Sequence, residues 1–266
     1  MFVHTQMRHA IILAPGRADD ASCLAVAAKE KRVLSTPNAV GAAAELIERA
    51  LGRGRRALSE HESKRVLAAY GVPTVDEILV SDAESALAAA ERLGYPVVIK
   101  ACAPDLMHKS DAGLVVLNVY DETSVRRAVA ELEVAVDVEL DGFLVQPMVR
   151  GKREVIVGGL RDPLFGPCVM LGLGGILVEA LGDVTFRLVP LEERDAIEML
   201  TELRAQRVFE AVRGEPAIDR AALAQILMNL GTILEEHPSI AQVDINPLIF
   251  DGDRPLAVDA LITLED

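Results

Sequence analysis

The chain has 266 residues, 51% of them apolar, and carries 27 Lys plus Arg against 41 Asp plus Glu, a net charge of −14. That apolar content excludes a disordered tail, and the length leaves room for two domains or one two-lobed domain, at roughly 100–200 residues per domain. The negative charge disfavours nucleic acid and acidic lipid, and an aromatic content of 3% without Trp removes the stacking platforms of single-strand readers.

Residues 9–34 read as a short strand, HAIILA, followed by an Ala-rich helical stretch. The apolar run before Pro15 and Gly16 is too brief for a spanning helix or an uninterrupted signal peptide. Three cysteines, Cys23, Cys102 and Cys168, fit neither a zinc pattern nor a disulfide framework, so a reducing cytoplasm is the expected compartment. A helix over 38–52 follows from Val40, Ala43, Ala44, Ile47 and Leu51 at helical spacing after a Pro37-Asn38 start. GRGRR at 52–56 reads as a linker, which makes 1–57 an N-terminal extension and starts the main body near Leu58.

From Leu58 the pattern alternates. Ser59 and Glu62 form a capping box for a helix running to Tyr70 and stopped by Gly71. The strand EILV, a helix from Asp82 to Leu93 and the strand PVVIKA at 96–101 follow. Further strands are expected at 113–119, 143–149, 153–160 and 167–172, with helices at 122–134, 191–206 and 219–236. Two strands, QVDINPLIF and PLAVDALIT, joined by DGDR, end the chain. Strands outnumber crossover helices in the second half, so the expected class is α/β with mixed sheets and helices packed on them.

Four places can carry chemistry. A two-residue turn at Gly252-Asp253 sets Asn246 opposite Asp259, with Cβ atoms roughly 5 Å apart on one face. Carboxylate plus amide oxygen suits magnesium, which completes its shell with phosphate and water. The alternative is a pair that solvates a hairpin face, but Asp259 sits in an apolar strand where an unpaired carboxylate is costly. Lys100 closes the apolar strand YPVVIK at the expected sheet edge, and it is either a snorkelling lysine or one that meets a phosphate. The loop after it holds His108, Lys109, Ser110 and Asp111: a histidine beside a cation and an orienting carboxylate can transfer a proton or attack a phosphoryl group. A strand ending in LVQPM precedes Glu154, which stands at the start of the next strand. Gly172-Leu173-Gly174-Gly175 does not satisfy GxGxxG, and no GxxxxGK[ST], GxSxG or HExxH occurs.

The segments GYPVVIKACAPDLMHKSDAGLV, LVQPMVRGKREVIVGGLRDPLFGPCVMLGLGGI and VDINPLIFDGDRPLAVDA, in this order, closely resemble the ATP-grasp part of NDP-forming acyl-CoA synthetases, of the ADP-forming acetate-CoA ligase beta-subunit type, related to the succinyl-CoA synthetase beta subunit. The resemblance covers about residues 58–264 and implies an ATP-grasp fold, with a small lobe over about 58–143 and a large lobe over the remainder. It implies that Lys100 contacts ATP phosphates, that the backbone of Gln146, Pro147 and Met148 reads adenine, and that Glu154 lines the pocket. Asn246 and Asp259 would hold magnesium, while His108, with Lys109 and Asp111, would carry the phosphoryl group to a histidine of a partner subunit. The implied reaction is acyl-CoA + ADP + phosphate giving carboxylic acid + CoA + ATP, reversibly. Ala112-Gly113-Leu114 departs from the GGV that usually follows this motif. Neither a CoA-binding domain nor the partner histidine domain is present in the sequence, so an alpha subunit is the expected partner, and residues 1–57 resemble a remnant of the flanking domain of fused forms. The other class kept open is a non-catalytic nucleotide-sensing or scaffold subunit.

Overall fold

In the computed structural model, which describes residues 37–104, 106, 113–174, 182–212 and 214–265, short polar caps set where helices begin. The strand and helix expected over 9–34 lie outside the described residues. Helix α1 (Pro37–Gly52) opens on its proline, whose missing N–H costs nothing at a helix start. Ser59 caps α2 (Glu60–Ala69): its Oγ accepts from Glu62 N, and the Glu62 carboxylate accepts from Ser59 N at 2.9 Å. This is the capping box expected from the sequence. Asp82 and Asp121 cap α3 (Ala83–Leu93) and α4 (Glu122–Ala135) in the same way, answered by Ser85 and Ser124.

Strands β1 (Ile78–Val80), β2 (Val97–Cys102), β3 (Val115–Val119) and β4 (Gly142–Pro147) form a four-stranded sheet in the order β1-β4-β2-β3. Helices α3 and α4 cover one face, where Val97, Ile99, Ala101, Phe143 and Val145 pack on Ala86, Ala90, Val125 and Val129. A six-stranded sheet follows: β5 (Glu154–Asp162), β6 (Gly166–Leu173), β7 (Val184–Leu188), β8 (Ile240–Asp251), β9 (Arg254–Ala257) and β10 (Ala260–Leu264). Its order is β10-β8-β5-β6-β7, with β9 also on β8. Helices α5 (Glu193–Glu202) and α6 (Arg220–Glu236) pack on it. Leu46 and Ile47 of α1 and Val66 and Leu67 of α2 join Leu227, Leu230 and Phe250 in the same core.

Several details differ from expectation. Each strand pair in the two sheets is antiparallel, including β1–β4, β2–β4, β5–β8 and β8–β10, whose strands are not consecutive in the chain. Strand β7 was not read from sequence: five residues on the sheet edge, half exposed, leave little hydrophobic signal. The helix expected to reach 206 ends at Glu202, followed by a short 3₁₀ turn over Gln206–Val208. The final strand is split in two where Pro247 stands opposite Val258: proline has no N–H for the Val258 carbonyl, which accepts from Lys100 Nζ at 2.8 Å instead. Lys100 itself does not end its strand at an edge. It lies within β2, the inner strand flanked by β3 and β4, and is 5% exposed.

Candidate nucleotide and metal site

Residues of β2 alternate between faces, so Ile99 and Ala101 join the apolar face and Lys100 points to the other. On that side α2 supplies the anion. Lys100 Nζ donates to Glu60 Oε1 at 2.7 Å and to the Val258 carbonyl at 2.8 Å, and lies 3.9 Å from Asp259 Oδ2. The sequence argument held that a lysine on a buried strand needs an anion, and the first one it meets is within the chain.

Glu60 belongs to a longer ladder that sequence reading missed. Its Oε1 also takes Lys64 Nζ at 2.7 Å, the i,i+4 neighbour on α2. Lys64 Nζ donates onward to Glu77 Oε2 at 2.7 Å and to Gln146 Oε1 at 2.9 Å, and Glu77 Oε1 meets His61 Nδ1 at 2.8 Å. Glu60 and Lys64 are each 2% exposed. Burial pushes the Lys64 ammonium toward neutrality, but the charges of Glu60 and Glu77 and their hydrogen bonds outweigh it and raise its pKa. The available signal was Glu60 and Lys64 four apart in SEHESK, which reads equally well as a solvated helical pair.

The terminal hairpin keeps the register read from its turn. Asp251 pairs with Arg254 and Leu248 with Ala257, and beyond the break Ile245 pairs with Ala260. Val258 N donates to Pro247 O at 3.3 Å between them. Asn246 and Asp259 therefore occupy one rung, as expected. Both stand where the sheet is irregular. Val155 pairs with Leu248 but Val157 with Ile245, so Asn246 and Pro247 together oppose Ile156 in a bulge. Proline removes a ladder donor there, and the bulge re-aims the asparagine. Asn246 is exposed and the Asp259 side chain is 27% exposed. Two accessible oxygen donors fit magnesium, which keeps most of its water and phosphate ligands.

Between the two sheets the chain runs through Gln146, Pro147 and Met148. The Gln146 side chain is buried and held by Lys64, whereas Pro147 and Met148 line a cleft of about 390 Å³ with Thr74, Asp76, Arg150 and Leu256. Pro147 has no N–H and the Met148 N–H is spent on Pro96 O at 3.0 Å, so neither residue has a backbone donor to spare. Gly151 follows; a Cβ there would stand 2.2 Å from Phe250 O, so only glycine lets the strand connection lie against β8. Glu154 opens β5, partly buried, and Gly174 packs on it so closely that a Cβ would meet Glu154 Cγ at 2.6 Å. That close approach gives Gly174, just past the end of β6, a packing role. His108, Lys109 and Asp111 lie outside the described residues.

The family model described as an ATP-grasp domain matches residues 49–264. The chain belongs to the ATP-grasp family. Proteins of this family use ATP or ADP. This ATP-grasp chain is 39% identical over 233 residues to the ADP-forming acetate–CoA ligase II subunit beta of Pyrococcus furiosus, covering 85% of this chain and 99% of that one. It also matches the solved structure of Ca. Korarchaeum cryptofilum dinucleotide forming acetyl-coenzyme A synthetase 1 in complex with coenzyme A, Ca-AMPCP and HgCl+. That match has a TM-score of 0.79 and 39% identity, over 83% of this chain and 99% of that chain. A second structure of that synthetase holds coenzyme A and Mg-AMPPCP, with its phosphohistidine segment pointing towards the nucleotide binding site. It matches at a TM-score of 0.74 and 39% identity, over 84% of this chain and 100% of that chain. Among the described residues, no helix is long and apolar enough to cross a membrane.

Proposed function

We propose that this chain is the nucleotide-handling subunit of an ADP-forming acyl-CoA synthetase, an acid–thiol ligase that works in the cytoplasm with a CoA-binding alpha subunit. The observation that carries the reading is the meeting of three residues at one spot: Lys100 from β2 lies 3.9 Å from Asp259, and Asp259 shares a rung with Asn246. A cation beside two accessible oxygen donors is what a metal-bound polyphosphate requires in an otherwise acidic protein. Near neighbours in sequence and structure that carry this activity support it.

In this reading Lys100 contacts the phosphates, and the carbonyls of Pro147 and Met148 face the amino group of adenine. Glu154 lines the pocket. Magnesium, when held by Asn246 and Asp259, offsets phosphate charge. His108 attacks the γ-phosphorus with a ring-nitrogen lone pair; the bond from that phosphorus to the bridging oxygen breaks and ADP leaves. Asp111 orients the imidazole and Lys109 balances the charge of the transferred group. The phosphohistidine then delivers its phosphoryl group to the partner subunit, where acid and CoA are joined.

The test is to incubate the full chain with γ-labelled ATP and magnesium. Acid-labile label on the wild type, lost in His108→Asn, is the expected result. An unlabelled wild type, even after a CoA-binding partner subunit is supplied, would leave only nucleotide binding and overturn the proposal.

A further inference from the structure

Two lysines share one carboxylate oxygen in this molecule, and they depend on it unequally. Lys64 Nζ has Glu77 and Gln146 as well as Glu60. Lys100 Nζ, among the described residues, has Glu60 Oε1, the neutral Val258 carbonyl, and Asp259 at 3.9 Å, beyond hydrogen-bonding distance. Asp259 is the residue assigned above to the metal. Once that carboxylate is engaged, Glu60 is the anion left to fix Lys100.

We infer that Glu60 is a positioning residue for nucleotide binding: it holds the Lys100 ammonium at the site of the polyphosphate and is itself held by Lys64. The inference rests on the reading of Lys100 as a phosphate contact. A lysine is a compact point charge on a flexible four-carbon stem with three donors. With two of those donors fixed by Glu60 and Val258 O, the stem no longer wanders, and one donor is left for a phosphate oxygen. Holding the donor in place before the ligand arrives lowers the ordering cost of binding. The arrangement also links three parts of the fold: Glu60 and Lys64 on α2, Lys100 on the inner strand, and Gln146 at the exit of β4. A purely packing role for Glu60 would be filled equally well by an uncharged side chain of the same shape.

The experiment is calorimetric titration of the full chain with Mg-ATP, using wild type, E60Q, E60D, K100M and the E60Q/K100M double variant, with urea unfolding of each. Expected is an affinity loss of about tenfold for E60Q and about threefold for E60D, where the charge returns one methylene short of its place. The double variant is expected to bind no worse than K100M alone, since Glu60 acts through Lys100. Losses that multiply in the double variant overturn the inference, as does wild-type affinity in E60Q. Equal losses in E60Q and E60D that track their loss of folding stability also overturn it. K100M with unchanged affinity would sink the reading of Lys100 and this inference together, whereas a weakened K100M beside an unaffected E60Q sinks only this one. If E60Q does not fold, E60D and E60D/K100M complete the same cycle.

Discussion

On one face of the four-stranded sheet, Val97, Ile99, Ala101, Phe143 and Val145 meet α3 and α4 through apolar contact; on the other, Lys100 and Gln146 of the same strands meet Glu60 and Lys64 of α2. The first face is stabilised by area. Each buried methylene contributes about 0.8 kcal/mol whatever its orientation, so the face can lose one and relax. The second depends on pairing. Removing two ammonium groups and two carboxylates from water costs several kcal/mol per ion, which their mutual attraction offsets only while every partner is in place. Replacing such buried ion networks by apolar side chains of equal volume is often neutral or stabilising. The charged face therefore holds groups in position, and its sensitivity to substitution should differ in kind from that of its neighbour.

The largest test of that contrast is Lys64→Met. It leaves Glu60 to Lys100 and Glu77 to His61, with two carboxylates buried around a thioether. The expected cost is about 3–5 kcal/mol in urea unfolding, the usual result of removing one member of a buried ion network. A loss within the range of a surface substitution would mean that the ladder is better hydrated than its burial implies.

Acid should probe the same face with a smaller effect. Burial pushes the Glu77 carboxyl up, but the hydrogen bond with His61 and the charge and hydrogen bond of Lys64 outweigh it and hold the pKa below the ordinary glutamate value. A depressed carboxylate contributes stability that is present above the unfolded-state value, roughly 4.3, and is lost as pH falls through the folded one. Lys64, raised, contributes in the opposite sense: its share is present below the ordinary lysine value and lost only as pH rises through the folded one. Wild type should therefore lose more stability than Glu77→Gln between roughly pH 5 and pH 3, measured by urea unfolding at each pH. Parallel curves would remove Glu77 from the ladder.

What the sequence disclosed and what it hid follow the same division. The capping box at Ser59 and Glu62 and the glycine after Leu93 are local signals, and both stand where they were read. The Asn246–Asp259 rung was legible because a two-residue turn propagates its register along both strands. The Glu60–Lys100 pair was not, since its partners are 40 residues apart in sequence and no periodicity connects them. The partner of the Val258 carbonyl was hidden for the same reason: it is a lysine on another sheet. Strand β7 was lost at an edge, where half-exposed residues carry a weak pattern.

The apolar face supplies the milder counterpart. Ile99 is fully buried next to Lys100, and Ile99→Val removes one methylene. The expected cost is about 1 kcal/mol, with Mg-ATP affinity unchanged in calorimetry. A weakened affinity would show that the two faces are coupled through β2.

Asp259→Asn should disturb stability least of all. The side chain is 27% exposed, its contact with Lys100 is 3.9 Å long, and it lies where the ladder is already broken, so a near-isosteric amide should shift unfolding by less than about 0.5 kcal/mol. If the residue is there to hold magnesium, its effect belongs elsewhere: ATP affinity titrated against magnesium concentration should lose most of its metal dependence, because an amide is a poor substitute for a carboxylate on a hard cation. A variant that unfolds early yet keeps the metal dependence would make Asp259 part of the Lys100 ladder and return the metal to other oxygens. A stable variant without the dependence would mean that the residue contributing least to the fold contributes most at the site.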